Sequence, residues 1–126
     1  MSPLHKIKRE ILLACDGDID IDLSLLTTSE SIDEAYDEYR DITHDRAYNF
    51  REGEVETNIP PETSRHYKSK SVACQTDSGE WIGWTYWYGG GKYGEPEAID
   101  WMESAYLLDC KEEEKMVVVR TFKKKG

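Results

Sequence analysis

Four aspartates at alternate positions, Asp16, Asp18, Asp20 and Asp22, have the residue type and density that could hold a metal ion. Oxygen-rich clusters of this kind suit calcium, whose EF-hand loop needs Gly at its sixth position and a bidentate Glu at its twelfth. A loop starting at Asp16 places Ile21 and Thr27 there. In an extended chain the four carboxylates would line one face at intervals of about 6.5–7 Å, too far apart to enclose one ion. The spacing predicts a solvated acidic face and no metal site.

A second stretch, Gly89-Gly90-Gly91-Lys92, has the outline of a phosphate cradle. The phosphate loop of nucleotide-binding proteins requires GxxxxGK followed by Ser or Thr. Here Tyr93 follows the lysine, and Glu95 and Glu97 flank the next helix start, where they would repel a phosphate. His5, His44 and His66 are scattered, with no Ser, Cys or acid at a triad or ligand spacing in the sequence. Cys15, Cys74 and Cys110 are three in number and irregularly spaced, which points to reduced thiols in a cytoplasmic setting rather than to a disulfide framework. No catalytic residue and no cofactor are assigned, and the chain reads as a non-enzyme.

The charge is divided between two sections. Residues 1–64 hold six Lys/Arg against sixteen Asp/Glu and so carry the whole net charge of −10, whereas residues 65–126 hold ten of each. Within the first section Glu30, Asp33, Glu34, Asp37, Glu38, Asp41 and Asp45 recur at three- and four-residue steps. Like charges at those steps weaken an isolated helix by a few tenths of a kcal/mol per pair. Along a helix they lie about 6 Å apart, of the order of the phosphate spacing on a nucleic-acid strand. Asp33, Glu34, Asp37, Glu38, Asp41 and Asp45 are therefore the candidate protein-binding residues. They suit a basic protein surface and disfavour direct contact with nucleic acid or an anionic membrane.

The aromatics are distributed the opposite way, four in residues 1–64 and ten in residues 65–126. The string Trp81-Ile-Gly-Trp-Thr-Tyr-Trp-Tyr88 has bulky residues at both parities, which predicts a central strand covered on both sides. A core this small strains to hide every ring, so Trp84, Trp87, Tyr88, Lys92 and Tyr93 form a candidate aromatic contact patch.

The elements that must position these residues follow from periodicity. Pro3–Ala14 reads as an amphipathic helix, Asp16–Leu23 as a half-buried strand, and the stretch from Ser29 as cap to Phe50 as one helix. The Pro60–Pro61 stretch at 58–64 reads as an extended connector between an acidic helical section, 1–57, and an aromatic-rich sheet, 65–126. In that sheet Arg65–Thr76 pairs with Trp81–Tyr88 across Asp77-Ser78-Gly79. A short helix opens at Pro96 and runs to Ala105, and Tyr106–Cys110 pairs with Met116–Phe122. The expected fold is α+β: a four-stranded antiparallel ββαββ sheet with the N-terminal helices packed on it, in one compact unit. Ile11–Ala14 is the longest apolar run near the N-terminus, too short for a signal-peptide core or a membrane span.

The segment Ser64–Phe122, with GEWIGWTYWYGGGKYGEPEAIDWM at its centre, resembles small uncharacterised proteins of tailed bacteriophages. The resemblance implies no defined activity or site residues. It does imply a setting in which small acidic proteins bind and inhibit host nucleases, restriction systems or CRISPR effectors. Together these readings predict a non-enzymatic acidic protein in the host cytoplasm. Its expected role is to inhibit a nucleic-acid-binding or defence protein, with nucleic-acid mimicry as one route. The alternative is a small-ligand or nucleic-acid-binding module built on the Trp/Tyr-rich strand 81–93.

Overall fold

The computed structural model describes residues 1–91, 94–110 and 120–124. Helix α1, Pro3–Ala14, begins where Ser2 accepts the His5 N–H and Pro3 supplies a φ already suited to the first turn. Its buried side is Ile7, Ile11 and Leu12. The chain then departs from expectation, because Asp16–Leu23 is not a strand. Gly17, at φ +92°, turns it back, and the Asp18 N–H reaches the Cys15 carbonyl at 2.9 Å. Only an isolated bridge joins Asp16 to Ile19, and Asp22 caps a 3₁₀ turn, Leu23–Leu25. Ile19 and Leu26 sink into the helical core, so no sheet neighbour is needed to bury them.

The long helix is two helices, α2 (Ser29–Glu38) and α3 (Arg40–Phe50). Thr28 rather than Ser29 is the cap, in a reciprocal capping box with Ser31. The break falls at Tyr39, which leaves helical geometry (φ −103°, ψ 33°) while its hydroxyl donates to the Asp20 carbonyl at 2.8 Å. The Thr43 hydroxyl, fully buried, donates to the Tyr36 carbonyl at 3.1 Å, so the carbonyl freed by the break has a partner.

Past α3, Gly53 (φ +71°) brings the backbone so near the sheet that a Cβ there would lie 2.7 Å from Val72 Cβ. This close approach lets Val55–Glu56 add as strand β1, an element the helical reading of 1–57 omitted; two residues are too few to show a period. Strands β2 (Lys68–Gln75) and β3 (Trp81–Tyr88) form the predicted hairpin, in register from Lys68 opposite Tyr88 to Gln75 opposite Trp81. Strand β4, Tyr106–Leu108, is shorter than expected and pairs antiparallel with Trp81–Gly83. The sheet is four-stranded and antiparallel in the order β1-β2-β3-β4, with the helices on one face, and the fold is α+β.

Its membership differs from ββαββ. The expected strand Met116–Phe122 lies outside the described residues except for Arg120–Phe122, which have no regular structure. The helix expected from Pro96 to Ala105 shrinks to a 3₁₀ turn, Pro96–Ala98. Beyond it Ile99 is extended, and Trp101 packs on Trp84 with ring centroids 5.1 Å apart. Burying that indole outweighs the weak local preference for another helical turn.

One hydrophobic cluster joins the two sections: Ile7, Ile11 and Leu12 from α1, Ile32 and Ala35 from α2, and Val72, Cys74, Ile82 and Trp84 from the sheet. The opposite sheet face is covered too. Glu62, just past Pro61, receives a hydrogen bond from Ser69 Oγ and donates its N–H to Thr85 Oγ1. Tyr106 and Leu108 lie over Gly83, where a Cβ would come within 2.7 Å of the Tyr106 ring. An ionic clasp ties α1 to the β2–β3 turn: Lys6 pairs with Glu80, Arg9 with Asp77 at 2.7 Å, and the Asp77 N–H donates to Glu10. No helix among the described residues is long and apolar enough to cross a membrane.

Candidate functional site

The acidic helices divide their carboxylates between two roles. Asp33 faces inward to α1, with Oδ2 3.0 Å from His5 Nε2 and Oδ1 3.0 Å from Lys8 Nζ. Hydrogen bonds from His5 and then Lys8 hold its carboxyl below the ordinary aspartate range. It is a tie between helices and leaves the set of free acids. Glu34, Asp37, Glu38, Asp41 and Asp45 are exposed as predicted.

The tertiary structure enlarges this acidic face. Tyr39 holds the Asp20 carbonyl, and Arg46 Nη2 lies 3.0 Å from Asp18 Oδ2, so the turn carrying Asp16, Asp18, Asp20 and Asp22 docks against the α2–α3 junction. All four aspartates are exposed. The Ser24 hydroxyl and N–H bond to Asp22 and lower its pKa, a local cap rather than a ligand shell. Among the described residues no group of three or more His, Cys, Asp or Glu is placed to hold a metal ion. The Asp16–Asp22 turn and the acidic helices, separated in sequence, are thus brought into contact at Tyr39 and Arg46.

The aromatic strand divides differently. Trp84 is 0% and Trp87 8% exposed, so both leave the candidate contact patch for the interior. Trp84 stacks on Phe50 and donates its indole N–H to the Arg51 carbonyl at 2.8 Å. Tyr88 is half-buried and stacks on Tyr86 with centroids 5.4 Å apart. Lys92 and Tyr93 lie outside the described residues. The Gly89–Gly91 loop has positive φ at all three positions, so its glycines serve a turn.

Sequence reasoning missed Arg51. This buried residue lies with its guanidinium 4.7 Å from the Tyr48 ring centre and 5.0 Å from that of Tyr86, and Nη1 donates to the Trp87 carbonyl at 2.9 Å. Its Nε has no hydrogen-bond partner, and no carboxylate pairs with it among the described residues. Its position at the end of α3, four residues after Ala47 and so in line with the buried Thr43 and Ala47, is the signal that could have revealed it.

Two other groups bear on chemistry. Ser2 Oγ lies 2.6 Å from His5 Nδ1, and His5 Nε2 reaches Asp33, which aligns the partners of a hydrolytic triad that no spacing in the sequence announced. The same Ser2 oxygen caps α1 and Asp33 is shared with Lys8, so the line also serves as a helix cap and a tie between α1 and α2. All three cysteines are free thiols, and burial pushes Cys74 up to about 12, far from a reactive thiolate. No family model, curated protein or solved structure matches this chain.

Proposed function

We propose that the protein is a non-enzymatic acidic binding protein that engages a basic protein surface. The nucleic-acid-binding cleft of a nuclease, restriction or CRISPR component, or another defence protein, is the fitting partner. The observation that carries this reading is the docking of the exposed Asp16–Asp22 turn against the junction of α2 and α3, the helices that expose Glu34, Asp37, Glu38, Asp41 and Asp45. In α3 the arginines interspersed with these acids are Arg40 and Arg46, and Arg46 is already paired with Asp18. An excess of exposed carboxylates steers a basic partner and gives specificity through charge. The resemblance of Ser64–Phe122 to phage proteins supports an inhibitor acting in the host cytoplasm.

The alternative reading, a ligand or nucleic-acid module on strand 81–93, has less support because Trp84 and Trp87 are interior. The test is capture of a host nucleic-acid-binding protein at low and high salt, with DNA and RNA as competitors. Binding that weakens steeply with ionic strength, yields to nucleic acid, and is abolished by reversing Asp37, Asp41 and Asp45 to Lys supports the proposal. Binding that ignores salt and is lost on Tyr86→Ala or Tyr88→Ala would move recognition to the sheet.

A further inference from the structure

Where α3 meets the segment after β3 there is a cavity of about 240 Å³. Ala47, Ile99, Trp101 and Met102 give it apolar walls, and Arg51 supplies a buried charge. Arg51 is 7% exposed, donates through Nη1 to the Trp87 carbonyl, and leaves Nε without a hydrogen-bond partner. The Tyr48 and Tyr86 rings lie against its guanidinium but neutralise none of the charge, and no carboxylate pairs with it among the described residues. A buried guanidinium without a counter-ion is costly, because no opposite charge offsets its desolvation. Glu97 and Asp100 also line the cavity, but both are exposed, so water screens them far more than it screens Arg51. His44, the remaining titratable histidine of the lining, is exposed and adds no negative charge.

We infer that this cavity binds a small monocarboxylate with an apolar body, its carboxylate set on the Nε side of Arg51. The inference goes beyond the proposed function and uses other residues. A carboxylate matches the guanidinium fork and supplies both the missing counter-ion and the missing acceptor. The apolar body lies against Trp101 and Ile99, in the usual pattern of a ligand pocket with few polar groups among apolar walls. A phosphate fits less well: its second charge would meet Glu97 and Asp100, and it has nothing to set against the apolar walls. Nε is shut off from water, so the Tyr48 ring, 52% exposed and stacked over the guanidinium, has to shift as the carboxylate arrives.

The test is NMR of the full chain with 3-phenylpropanoate as the probe, compared with 3-phenylpropanamide and inorganic phosphate. The carboxylate should give saturable shifts at the Arg51 Nε–H, the Trp101 indole N–H and the Tyr48 ring. It should bind about tenfold tighter than the amide, the scale of one charged hydrogen bond. Glu97→Gln/Asp100→Asn, at two exposed positions, should tighten carboxylate binding about threefold and leave amide binding unchanged. Absence of saturable shifts with the carboxylate, or equal affinity for acid and amide, would overturn the inference. Phosphate moving the Arg51 Nε–H as strongly as the carboxylate would overturn the assigned ligand class. Arg51→Met should abolish the preference for acid over amide, and a folded variant that keeps it would place the anion elsewhere and overturn the site. If that variant does not fold, the comparison of acid with amide in the unaltered chain decides. No partner protein enters the experiment, so its failure leaves the acidic-face reading standing.

Discussion

In α2 and α3 one narrow stripe is buried and the rest of each helix faces water, whereas the central strands β2 and β3 are covered on both faces. The helices therefore tolerate charge almost anywhere off the stripe, and the strands tolerate almost none at their centre. Ser71, Val72, Ala73 and Cys74 are buried in succession, as are Ile82, Gly83, Trp84 and Thr85. An exposed acid on α3 has water as its neighbour; a ring on β3 has another ring. Stability thus concentrates in the sheet and recognition chemistry on the helices, and substitutions should respond in that order.

The largest loss should follow Trp84→Ala, which removes a fully buried indole, its contacts with Phe50 and Trp101, and its hydrogen bond to Arg51. Denaturant unfolding should show a loss of about 3–5 kcal/mol, and Trp101→Ala should approach it. A loss below about 1 kcal/mol, the scale of an ordinary substitution, would show that the strand is not the core. Gly83→Ala should come next, at about 1–3 kcal/mol, because its Cβ would strike Tyr106 and Leu108 and push β4 from the edge. Unaltered stability would mean that β4 yields freely.

The ionic ties that α1 makes to the β2–β3 turn and to α2 should give a pH-dependent effect of intermediate size. Asp77 is held below its ordinary pKa chiefly by the Arg9 hydrogen bond, and Asp33 chiefly by His5. A carboxylate with a depressed folded pKa adds stability at neutral pH that is lost as pH falls through the folded value. The melting temperature should therefore drop on acidification below about pH 4. Glu10 has the opposite sign: burial raises its pKa, so its charged form opposes folding above that value. Glu10→Gln keeps an oxygen for the Asp77 N–H and should raise stability at neutral pH; a fall would show that the charge itself holds the clasp.

The smallest effect should come from the acidic face. Asp37, Asp41 and Asp45 reversed to Lys should change folding stability by no more than about 0.5 kcal/mol per site, while partner binding is lost. EDTA should leave the melting temperature unchanged, and a drop of several degrees would show that the Asp16–Asp22 turn holds an ion. A large loss of stability in the Lys variant would erase the division of labour between helices and sheet.

The elements legible in the sequence were those whose signal is local. Helix α1 carries its cap, its proline and its apolar period within Ser2–Ala14, and the β2–β3 hairpin carries its turn in Asp77-Ser78-Gly79. The alternating Asp16–Leu23 stretch was misleading because period two marks a strand only where a neighbouring strand accepts the backbone, and here helices receive Ile19 instead. At the candidate site the exposed helix acids were readable from their spacing. Bulk at both parities announced a strand covered on both faces, but which rings would stay accessible was not readable, since that depends on what the fold places against each: Trp84 and Trp87 are interior and Tyr88 half-buried.

Composition and spacing by themselves determined the acidic surplus of residues 1–64, the aromatic surplus of residues 65–126, and the α+β class. Only the tertiary structure decided which members of those sets were free to act. It drew Asp33 inward to His5 and Lys8, joined the Asp16–Asp22 turn to α3 through Tyr39 and Arg46, and set Arg51 between two tyrosines. Each of these contacts joins residues far apart in the chain or facing across packed layers. Charge and periodicity record how a residue relates to its near neighbours in sequence, whereas exposure depends on what the rest of the fold places against it.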